Sequence, residues 1–173
     1  MLNLSILFPK FNFEFKNPNV DHLHPKSQFN DETYTLLNAN QIEFYNNHYN
    51  TVLNLGLLSE EQNKSKNKSP LNDWIDKQLV FNVTIKDSLL IPENTSLDFY
   101  NFEKFINKRE IKLNQRLMNA NKDLVKLQEK FEKKKAEDKS FADNGSAQLD
   151  WIYKNSQYYE SSHLTYPVYR VLN

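Results

Sequence analysis

Apolar and polar positions along the chain change rhythm several times, and each change marks an element. Leu2 to Phe8 is a short apolar run stopped by Pro9 and too short to hold as a helix alone. Phe11 to Lys16 alternates apolar and polar with period two, as a half-buried extended segment does. Val20 to His24 reads as a strand ended by Pro25, which puts His22 and His24 on one face. Gln41 to Tyr45 has helical character, and Thr51 to Leu58 reads as a second strand in which Gly56 signals a bulge or a close backbone approach. Ser59 followed by Gln62 has the form of a capping box, so a helix carrying Asn63, Lys64 and Lys66 is expected next, broken at Lys68-Ser69-Pro70.

After Trp74 and Ile75 the pattern weakens, and Leu79 to Ser96 reads as extended or loop, with a turn at Pro92. The strongest periodicity follows. From Phe102 to about Lys135, Ile106, Leu113, Leu117, Ala120, Leu124, Leu127 and Phe131 recur at helical spacing among charged and amide residues. Such a helix would run about 50 Å. Its charges alternate in sign, which favours scaffold or self-association, as a homodimer through this helix, over DNA reading. The Asp143 to Ser146 turn is expected to end this region, and Trp151, Tyr153, Tyr158, Tyr159, Tyr166 and Tyr169 crowd the tail.

Composition narrows the chemistry. The chain has 173 residues, enough for one domain or a domain with an appendage. Lys+Arg and Asp+Glu are both 22, so any nucleic-acid contact must come from a local patch. Cysteine is absent, which excludes thiolate catalysis and Cys-based zinc sites. No apolar run is long enough to be a membrane helix, and the N-terminal stretch lacks the marks of a signal peptide, so a cytoplasmic protein without membrane contact is expected.

The candidate chemistry sits between Asn19 and Trp74. His22 is the candidate general base, since imidazole titrates near neutral pH. Asp21 offers a hard anionic oxygen for Mg²⁺ or Mn²⁺, and Asn63 an amide oxygen. Asn54 is expected to hydrogen-bond near His22 and hold the ring. Lys26, Lys64 and Lys66 are the candidate phosphate contacts, while His24 is expected to support the site from behind. A solvated helix face is an equal reading of the lysines.

Asp21-His22-Leu23-His24-Pro25, then Asn54-Leu55, then Asn63-Lys64-Ser65-Lys66, resembles the HNH endonuclease motif, with asparagine in the third position. With Pro70 and Trp74 added, the set is similar to the C-terminal HNH domain of GmrSD-type restriction proteins. The resemblance implies an α+β fold: a ββα-metal (His-Me finger) unit embedded in a mostly helical domain with a long amphipathic helix. It implies a nuclease domain over 1–100 with its motif in 19–75, the long helix over 101–137, and an aromatic-rich segment over 138–173. It further implies that Asp21 and Asn63 bind the metal, His22 activates water and Asn54 supports the base.

The activity implied is metal-dependent hydrolysis of DNA, modified or foreign, in a restriction or phage-defence system. With two glycines the chain has no phosphate-cradling loop, so any NTP dependence is expected in a partner domain or subunit. A free-standing nuclease, a split subunit and a truncated product all fit this. The alternatives are a catalytically inactive DNA-binding or assembly module, or a subunit that works only with its NTP-dependent partner.

Overall fold

The structure is a computed structural model that describes residues 7–8 and 19–155, apart from the Tyr153 side chain. The extended segment expected over 11–16 and the tail aromatics from Tyr158 onward lie outside the described residues. The chain divides into two compact units, Phe15–Asn114 and Met1–Glu14 with Gln115–Asn173. The described residues are mostly helical, with one small antiparallel sheet of two strands among them.

In the first unit, β1 (Asn19–His22) pairs with β2 (Leu55–Leu58), Asp21 opposite Gly56 and His22 opposite Leu55. Between them lie α1 (Asp31–Tyr34) and α2 (Ala39–His48), the latter opened by an Asn38/Gln41 capping box. Both strands are shorter than their sequence pattern predicts. The first ends at His22, and Val52–Asn54 forms a 3₁₀ turn instead of strand. The reason lies in the backbone carbonyls of 52–54: the Arg109 guanidinium takes those of Val52 and Leu53, and Leu23 N–H takes that of Asn54, so the ladder begins only at Leu55. No bulge interrupts the register at Gly56. The close approach is there instead, since a Cβ at Gly56 would lie 2.7 Å from Leu23 Cδ2.

Helix α3 (Glu60–Lys66) opens with the expected box: Ser59 Oγ accepts from Gln62 N–H, and Gln62 Oε1 from Ser59 N–H at 2.9 Å. Both strands pack against it. Asn67 ends it at a positive φ of 44°, a sign that is uncommon outside glycine and least so for asparagine and aspartate. Helix α4 (Leu71–Leu79) buries Leu71, Trp74 and Ile75, and Trp74 Nε1 donates to Ser65 Oγ at 3.0 Å, tying it to α3. The expected loop over 79–96 contains a short helix, α5 (Ile85–Ser88), and sends Ile85, Leu89 and Ile91 into the core.

The periodic stretch forms α6 (Phe102–Glu137), a helix of 36 residues. The division between units falls inside this helix, because Phe102, Phe105 and Ile106 belong to the same core as Leu23, Tyr45 and Trp74. In the second unit, α7 (Lys139–Ala142) is capped by Asp138, and α8 (Gly145–Asn155) follows. Of the expected Asp143–Ser146 turn, Asp143 and Asn144 join α7 to α8 and Gly145 and Ser146 open α8, while the long helix ends earlier, at Glu137. Phe131, Phe141 and Ile152 form the small core of this unit, with Trp151 against them. No helix among the described residues is long and apolar enough to cross a membrane.

Candidate functional site

The site is built where β1 ends: β1 delivers Asp21 and His22, and α3 delivers Asn63 and Lys66. Strand pairing to β2 fixes the backbone of Asp21 and His22. His22 is half-buried, and its Nε2 lies 3.0 Å from Asn50 Oδ1. A carbonyl oxygen only accepts, so Nε2 carries the proton in this arrangement and the lone pair of the neutral ring lies on Nδ1. Tyr49 stacks alongside with its ring centroid at 6.3 Å. The partner that holds the imidazole is thus Asn50, which has no pattern to mark it in the sequence.

Asn54 was expected to do that work, and it acts elsewhere. It is fully buried, and its amide accepts from His24 N–H at 2.9 Å while donating to the carbonyls of His24 at 3.1 Å and Tyr49 at 2.8 Å. It clamps the backbone that leaves β1 to the loop that carries Asn50. Its influence on His22 runs through the main chain. Leu23 N–H closes the same junction on the Asn54 carbonyl at 2.7 Å.

His24 does not share a face with His22, because the chain has already left the strand. Its ring is buried against Phe102 and Phe105, with centroids 5.3 and 4.9 Å away. Neither ring nitrogen has a hydrogen-bond partner among the described residues. Burial, helped by the nearby Lys66 and Arg109 cations, lowers its pKa to about 3, so the ring is neutral. It is a packed aromatic, not a ligand.

Asp21 is half-buried, and Lys66 from the last turn of α3 donates to its Oδ2 at 3.1 Å. The Lys66 side chain is 0% exposed against 28% for Asp21. Lys66 was expected among the phosphate contacts; it faces inward instead. Desolvation pulls its pKa below the ordinary lysine value, and the Asp21 carboxylate pulls it back. Lys64 is on the surface, paired with Glu60 at 2.6 Å, and Lys26 is exposed on the turn after Pro25.

Asn63 lies one turn before Lys66 on α3, three residues away and therefore on the same side of the helix. It is half-buried, and its side chain makes no hydrogen bond among the described residues. Asp21 Oδ1 is equally uncommitted among the described residues. These are hard-oxygen donors of the kind Mg²⁺ takes while keeping most of its waters. No cluster of three or more His, Asp or Glu that could cage an ion exists among the described residues.

Arg109 went unnoticed in the sequence, where it looks like one charge on a solvated helix face. It is buried, and its guanidinium donates to the carbonyls of Val52, Leu53, Leu55 and Leu89. It thereby holds the turn from which Asn54 reaches across. Comparison with protein-family models and with curated proteins gives no match for this chain.

Proposed function

We propose that this chain is an HNH-type endonuclease that hydrolyses DNA phosphodiester bonds with a divalent cation. The observation that carries the reading is the His22–Asn50 pair beside Asp21, at the end of a two-stranded antiparallel sheet whose second strand runs into a helix bearing Asn63. An imidazole whose Nε2 is held by a carbonyl oxygen keeps Nδ1 as the base nitrogen, aligned to take a proton from water. Asp21 and Asn63 would hold Mg²⁺ or Mn²⁺. When bound, that ion would supply positive charge for the phosphate oxygens as water adds to phosphorus and the P–O bond to the leaving oxygen breaks.

The chain's own residues do the remainder. Asn50 keeps the ring in one tautomer. Asn54 and Arg109 keep the backbone beneath it from shifting, which matters because small displacements of a base are expensive. Lys26 and Lys64 are the exposed cations closest in sequence to the motif and are the phosphate contacts of this reading. The biological setting we propose is restriction of modified or foreign DNA, with any NTP dependence supplied by a partner. The test is plasmid cleavage with Mg²⁺ or Mn²⁺. His22→Ala is expected to abolish it, and unchanged cleavage by that variant overturns the mechanism.

One observation favours a second reading. The Lys66 ammonium already sits on Asp21, as it would in a scaffold that had traded its metal for a lysine and binds DNA without cutting it. That reading predicts salt-sensitive DNA binding and no cleavage with any metal.

A further inference from the structure

We propose that Lys66 controls cation occupancy: its ammonium keeps one oxygen of Asp21, so that a divalent ion binds firmly only together with a phosphodiester. The proposal rests on the reading of Asp21 and Asn63 as the metal ligands.

Of the three lysines in the Lys64 to Lys68 run, Lys64 and Lys68 are exposed and only Lys66 turns inward, to full burial. A buried lysine costs stability unless its charge is matched. Asp21 Oδ2, at 3.1 Å, is its one acceptor among the described residues. The pair carries no net charge, so the local field that would draw a free cation is largely cancelled. The carboxylate that could have clasped an ion with both oxygens offers one. The Asp21 backbone is held opposite Gly56 in the ladder, which fixes the strand position from which its carboxylate meets Lys66.

A dication arriving on Oδ1 meets the ammonium across a poorly solvated carboxylate, and like charges repel strongly there. A phosphodiester anion reverses the balance by adding a negative charge that both cations share. The metal is then recruited with the substrate. In its absence Lys66 keeps Asp21 compensated.

The experiment is Mn²⁺ titration followed by electron paramagnetic resonance on the full chain, for the wild type, Lys66→Met, Lys66→Gln and Asp21→Asn, with melting curves confirming that each is folded. Both Lys66 variants are expected to bind Mn²⁺ about tenfold more tightly or better, and Asp21→Asn to lose binding. Equal or weaker Mn²⁺ binding in the folded Lys66 variants overturns the proposal, as does tight binding that survives Asp21→Asn.

A second arm uses the wild type alone, with and without a phosphorothioate-linked dinucleotide. The dinucleotide is expected to tighten Mn²⁺ binding, and equal affinity overturns the proposal even if both Lys66 variants fail to fold. If the wild type cleaves plasmid while the Lys66 variants bind Mn²⁺ no better, this inference falls and the nuclease reading stands. If no form binds Mn²⁺ even with the dinucleotide, both fall.

Discussion

Asn54 grips the His24 peptide from both sides, accepting from its N–H at 2.9 Å and donating to its carbonyl at 3.1 Å. An asparagine is the smallest side chain that can close such a ring while reaching a third backbone group, here the Tyr49 carbonyl. Asn54→Ala leaves those groups buried and unpaired. It is expected to destabilise the fold by about 3 kcal/mol, read from urea unfolding. Asn54→Asp keeps the acceptor, loses both donors and is expected to be similarly harmful.

In the proposed mechanism Asn50 serves chemistry more than stability, because it is at the surface and makes one side-chain bond among the described residues, to His22. Asn50→Ala is expected to lower kcat for DNA cleavage about tenfold or more, with Tm and Mn²⁺ binding unchanged. Asn50→Asp keeps the acceptor and is expected to retain more activity than the alanine variant. Equal kcat for the wild type and Asn50→Ala would remove Asn50 from the mechanism.

His24 gives the fold an acid sensitivity. Its pKa is about 3 when folded and near 6.5 when unfolded, so the unfolded chain binds the extra proton across that window. Stability from this group is whole above pH 6.5 and is lost as pH falls toward 3, by about 1.4 kcal/mol per pH unit. Unfolding of the wild type and His24→Leu, compared at pH 7 and pH 5, should show the wild type losing about 2 kcal/mol more. The leucine keeps the apolar contacts with Phe102 and Phe105 and has no proton to gain.

Arg109 satisfies four carbonyls from one buried guanidinium. Burial lowers its pKa to about 9, which still leaves it protonated at neutral pH. Arg109→Met fits the space but strands the acceptors, and a loss of about 4 kcal/mol or more is expected from chemical denaturation. Arg109→Lys, with a single donor centre that cannot span Leu55 and Leu89 together with Val52 and Leu53, is expected to recover only part of it.

Legibility of the candidate site varied residue by residue. His22 and Asp21 stood out because two titratable groups at a strand end are chemically distinctive wherever they fall. Asn54 was legible as a polar residue that needed an explanation, but its role was misassigned to the His22 ring, since sequence order gives no sight of which amide faces which group. Asn50 gave no signal at all. The burial of Lys66, named only as a phosphate contact, and the whole role of Arg109 were hidden for the opposite reason: lysine and arginine between polar neighbours on a helix look solvated until a partner far along the chain is known.

What this sequence determined by itself was local: the Ser59/Gln62 capping box and the long helix that begins at Phe102. Those outcomes depend on residues within a turn or two of one another, where propensity, capping and periodicity act directly. Tertiary structure alone decided that Asn50 bonds His22 across 28 residues, that Lys66 pairs with Asp21 across 45, and that Arg109 secures the Leu55 carbonyl across 54. A buried charge or amide takes whichever partner the folded backbone presents, because leaving it unpaired costs more than any local preference can repay.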